Sequence, residues 1–68
     1  MSKYSLVGVD GNAYALMGYT QNAMKNEGFS KEEIDQMLKE ATAGDYSNLI
    51  CVCSSYLDKV NHKVEADV

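Results

Sequence analysis

Proline and tryptophan are absent from this chain of 68 residues, cysteine occurs twice and histidine once. So few sulfur and imidazole groups leave little room for metal chemistry. Cys51 and Cys53 do not form a C-x-x-C pair, and the lone His62 has no second histidine at helical spacing. The two thiols stand two positions apart in an expected helix. Their side chains diverge there by about 200° around the axis, so they cannot pair with each other. Neither a metal nor another cofactor is expected. Long apolar runs are missing too: nothing approaches the ~20 residues of a membrane span. The opening "MSKYSLVGVD", interrupted by Gly8 and Asp10, is too short for a secretory signal. Free thiols without such a leader place the chain in a reducing cytoplasm.

Positive charge is the next scarcity. Six basic residues face ten acidic ones, giving a formal net charge of −4. Direct binding to nucleic acid through its phosphates needs a basic face, so the balance argues against that class. Mild acidity serves solubility and permits an acidic face that meets a basic partner. The length fits one domain over residues 1–68. A domain of this size buries only about 60% of its unfolded surface. Small domains compensate with disulfides, a metal or association. With the first two set aside, association remains.

The chain reads as mainly α, in the order β-α-α-α. Tyr4 to Val9 alternates as a short covered strand does, with apolar groups on both faces. Asp10-Gly11-Asn12 supplies a turn, and Asp10 or Asn12 can cap the next helix. Helix 1 is expected from Asn12 to Glu27, its stripe formed by Ala13, Leu16, Met17, Thr20, Ala23 and Met24. Gly28 with apolar Phe29 after it fits a Schellman ending. "SKEE" is a capping box in which Ser30 and Glu33 bond reciprocally. Helix 2 carries Ile34, Met37, Leu38 and Ala41, and Gly44 ends it. Asp45 or Ser47 caps helix 3, expected to about Lys63 with residues 61–68 fraying. A lone strand leaves both edges unpaired. Either it is irregular or it pairs across a two-fold axis, and a homodimer supplies ladder bonds and buried surface together.

The turn "VGVDGNAYALMG" invites a search for a phosphate site. Gly8, Gly11 and Gly18 match neither the dinucleotide fingerprint nor the P-loop, and Asp10 puts negative charge where a phosphate would sit. Gly11 and Asn12 are therefore weighed as an anion or ligand turn against plain helix capping, and capping is favoured. "DGNAY" also fails as a calcium loop. On helix 3, Cys51, Ser55, Asp58 and His62 share one face, yet Cys51 and His62 stand about 16 Å apart along the axis. The imidazole cannot serve the thiol, and no catalytic set is assembled. Gly18 sits inside a helix, where glycine costs ~1 kcal/mol relative to alanine. Close packing against its backbone is the expected reason. Five tyrosines mark the chain. Tyr14, Tyr19 and Tyr46 fall at or beyond stripe edges, where they suit a binding surface or the rim of a small core.

The stretches "GVDGNAYALMG", "NEGFSKEEIDQMLKEATAGDY" and "NLI" resemble a family of very short proteins associated with bacteriophage and bacterial genomes. The shared pattern is an Asp-Gly-Asn-Ala turn, a Met-Gly after it, a Gly-aromatic-Ser helix start and a Gly-Asp-Tyr before an apolar last helix. It covers Val7 to Tyr56 and brings no catalytic residues with it. The resemblance implies a context in which small phage proteins bind a host component, in the host cytoplasm. The expected function is accordingly a non-enzymatic protein that binds a host protein, for example a component of antiviral defence that it inhibits. The expected surface comprises Tyr14, Gly18, Tyr19 and Lys25, with Glu32, Asp35 and Glu40 steering a basic partner. The alternative is a sponge for a small signalling nucleotide at a subunit interface, using the Asn12 helix start and Lys25 or Lys3. A structural or assembly module is the third class.

Overall fold

The computed structural model describes residues 3–66, which form three helices. α1 spans Ala13–Asn26, α2 spans Lys31–Ala41 and α3 spans Tyr46–Ala66. Each helix packs on the other two. The all-α class results from three amphipathic stripes turned towards one another. Leu16, Ala23 and Met24 meet Ile34, Met37 and Ala41 of α2 and Leu49, Cys53, Tyr56, Leu57 and Val60 of α3. Met24 and Met37 are fully buried, where unbranched thioethers fill irregular gaps between helices. Thr20, the polar member of the α1 stripe, is buried and donates to the Leu16 carbonyl at 2.9 Å.

Local sequence chemistry sets the helix ends. The Asn12 side chain accepts from the Tyr14 amide at 2.8 Å and starts α1. At its end Gly28 takes φ +83, and the Phe29 and Gly28 amides return to the Met24 and Lys25 carbonyls. That is the Schellman pattern. Both halves of the Ser30–Glu33 capping box are formed. Asp45 accepts from the Asn48 amide at 3.0 Å and starts α3, while the Asn48 side chain donates to the Glu40 carbonyl at 2.9 Å and closes α2.

Two expectations are corrected. No strand occurs among the described residues: Tyr4 to Val9 is an irregular strap laid across α1 and α3. Its alternation breaks at Gly8, whose φ of +85 lets the Val9 amide reach the Leu6 carbonyl at 3.1 Å and fold a turn. Its edge is satisfied within the chain. The Asn61 side chain accepts from the Tyr4 amide and donates to the Tyr4 carbonyl, each at 2.8 Å, as a neighbouring strand would. Pairing across a dimer therefore has no strand to complete. The second correction concerns the end of helix 3, expected at about Lys63. α3 continues to Ala66, Asn61 is buried, and Lys63 reaches back to the Glu27 carbonyl at the C-terminal end of α1. The last two residues lie outside the described ones.

Candidate functional site

The expected partner-binding residues divide once placed. Tyr19 is taken into the structure: its hydroxyl accepts from the Ser5 amide at 3.1 Å, and its ring meets Tyr4 edge-on at 6.3 Å. Glu40 also has a partner inside the chain and acts as a strut. It accepts a 2.5 Å bond from the Tyr56 hydroxyl, which holds its carboxyl below the usual range and pushes Tyr56 up to about 12. Gly18 has no close neighbour at all, since a Cβ built there meets nothing within 4 Å. The packing expected against its backbone is not made by this chain. Lys25 lines a cleft between α1 and α2 with Gln21, Lys31 and Asp35, while Glu32 borders a second cleft beside Tyr56 and Lys59.

The Tyr56–Glu40 bond carries a pH signature. Tyr56 has a raised folded-state pKa, so its contribution is whole below the ordinary tyrosine value of 10.0 and is lost as pH climbs through about 12. Glu40 has a lowered one, so its share is whole above 4.5 and is lost as pH falls further. The stability difference between the wild type and Tyr56→Phe is thus expected to be level through neutral pH and to shrink at both extremes. Urea unfolding of the pair across pH checks this; a difference independent of pH would remove the bond.

The turn at Gly11 and Asn12 is already engaged by its own chain. Asp10 accepts from the Asn12 amide at 2.9 Å, Asn12 caps α1, and the Gly11 carbonyl accepts from the Tyr46 hydroxyl. Asn12 and Lys25 sit at opposite ends of α1, about 20 Å apart. They cannot hold one phosphate together within a single copy. Lys3, the other basic group considered, is paired with Glu27 at 3.0 Å. Cys51 is exposed and Cys53 is buried. Among the described residues no three His, Cys, Asp or Glu side chains gather closely enough to hold a metal ion, and no helix is long and apolar enough to cross a membrane.

The fold does assemble a groove of about 360 Å³ where the start of α1 meets the α2–α3 turn. Buried Ala41 and Leu49 and half-buried Ala13 and Met17 form its floor. Tyr14 and Tyr46 stand at its sides, 82% and 49% exposed, and Asp45 lies on its rim. The Tyr46 ring is held by its hydroxyl bond to Gly11 across the gap between α3 and the start of α1. Of the expected surface residues only Tyr14 belongs to this groove. Tyr46, Met17, Leu49 and Asp45 were absent from the expected set. The available signal was that Tyr46 and Tyr14 each open a helix within its first two residues, beyond the reach of the stripes they adjoin. No family model matches this chain, and no curated protein or solved structure matches it either.

Proposed function

We propose that this chain is a non-enzymatic protein-binding module that captures an apolar side chain of its partner between Tyr14 and Tyr46. One observation carries the reading. Two exposed tyrosines flank an apolar floor on rigid helix starts, so large contact area is offered at little entropic cost. Tyr46 is held in place before any partner arrives, which lowers the ordering cost of association. The resemblance to very short phage proteins supports a host protein as the partner, with a defence component whose surface is blocked as the example.

The test uses a random peptide library displayed on yeast and panned against the immobilised protein. Selected peptides should bind the wild type and lose about 30-fold or more in affinity with Tyr14→Ala, the loss expected for a central aromatic anchor. Gly18→Ala serves as the control on the same helix: its methyl enters open space, so binding should stay as in the wild type. If folded Tyr14→Ala and Tyr46→Ala both bind the peptides normally, the groove is not the site. A nucleotide retained by the purified protein in native mass spectrometry would put the sponge reading in its place.

A further inference from the structure

The charged side chain among the groove's lining residues is a carboxylate. Asp45 lines it, Asp10 adjoins the Gly11 carbonyl that holds Tyr46, and no lysine is among the lining residues. Each carboxylate uses an oxygen to accept a backbone amide, Asn48 for Asp45 and Asn12 for Asp10. Neither has a cation within ion-pair distance, since the salt bridge found among the described residues joins Lys3 to Glu27. Helix ends add partial charges of both signs. The C-terminal end of α2 enters the groove at Ala41 and Thr42 and is negative. The N-terminal ends of α1 and α3 are positive by about half a charge each. Asn12 and Asp45 already meet those amides, and the two full carboxylate charges outweigh them. The faces of the tyrosine rings also favour a cation.

Resting on the protein-binding reading, we infer that the groove selects a basic segment: an aromatic or aliphatic anchor flanked by arginine or lysine. The anchor fills the space over Met17 and Leu49, and the flanking cations lie over Asp45, Asp10 and the tyrosine faces. Charge complementarity decides between occupants here. A second copy of this acidic chain would bring no excess of cations to that rim.

Three synthetic peptides test this, alike except that a central phenylalanine is flanked by arginine, by glutamine or by glutamate. Their affinities are read from shifts of groove amides in two-dimensional NMR at low and high salt. The arginine peptide should bind about tenfold tighter than the glutamine peptide at low salt, from a few rim ion pairs and ring contacts. Salt should narrow the gap. The glutamate peptide should bind weakest. Asp45→Asn combined with Asp10→Asn keeps both amide-accepting oxygens while removing both charges, so it should shrink the preference to the part the ring faces supply, remove its salt dependence and spare the glutamine peptide. Equal binding of arginine and glutamine peptides, both lost with Tyr14→Ala, would overturn the charge selection and leave the groove reading standing. No shift of groove amides with any peptide would overturn both. Groove shifts that grow with protein concentration alone would seat a second copy there and overturn the basic partner.

Discussion

Asn61→Leu is expected to release residues 3–9 from the helices and to lower the stability of the domain by about 2–4 kcal/mol. The change keeps the number and branching of side-chain heavy atoms and removes both bonds to Tyr4. A buried backbone group left without a partner costs about 1–3 kcal/mol, and two are affected. The strap can escape that cost by lifting into water. It then gives up the packing of Tyr4, Leu6 and Val9 on the core and the Tyr4 bond to Glu27 at 2.6 Å. The loss is bounded by whichever route is cheaper. Amide exchange separates them: lifting makes the Tyr4 and Ser5 amides exchange freely while the helix cores stay protected. Asn61→Asp gives a second check. It retains the acceptor and loses the donor, setting a carboxylate against the Tyr4 carbonyl, so the protonated acid fits better. Its deficit relative to the wild type should therefore narrow as pH falls. A loss below about half a kilocalorie for Asn61→Leu in urea unfolding, under the cost of one unpaired group, would show that the clip does not hold the strap.

The second large effect comes from comparing one substitution at two glycines. Gly44→Ala should destabilise by about 1–3 kcal/mol, the range for forcing a methyl into filled space. A Cβ at Gly44 would lie 2.8 Å from the Cβ of Asn48 and 2.9 Å from its Cγ. The first of these is fixed to the α3 backbone and cannot rotate away. The α2–α3 turn has to open, which weakens the Asn48 bond to the Glu40 carbonyl and shifts Asp45 on the groove rim. Gly18→Ala should act in the opposite sense and stabilise by about 1 kcal/mol, since a helix interior favours alanine and nothing is in the way. Thermal and urea unfolding of both variants checks the pair. Loss of stability in Gly18→Ala would mean that the α1 backbone there is not free.

How far these features were legible depended on the sequence distance over which each is decided. Asn12, Gly28, Ser30 with Glu33, and Asp45 act on amides or carbonyls a few residues away. A one-dimensional pattern carries that information, and the helix ends could be read from it. The stripes were readable for the same reason, because a 3.6-residue period fixes which side chains face inward. The strap was not. Tyr4 to Val9 has the alternation of a strand, and the residue that makes it something else is an asparagine 57 positions further on. The internal bonds of Tyr19 and Glu40 were hidden by the same limit. Each is an edge residue on its own helix, and each is claimed by a partner on another element, Ser5 and Tyr56 respectively. The groove draws on all three helices, so Tyr14 and Tyr46 could be singled out as edge tyrosines while Met17, Leu49 and Asp45, which complete the site with them, could not.

The clip between Tyr4 and Asn61 also orders the way the chain assembles. The contacts between neighbouring helices span short stretches and close small loops, whereas this one closes a loop of 57 residues. Loop-closure entropy rises with length, so the clip forms only after α3 has returned beside the strap, whereas the strap's bonds to Tyr19 and Glu27 close loops of 14 and 23 residues. The contact between the strap and α3 is then the last to form and the first to break. The seam along α3 is expected to open before the helices melt, so proteases acting on the folded protein should enter there, at the exposed Val7–Gly8 turn.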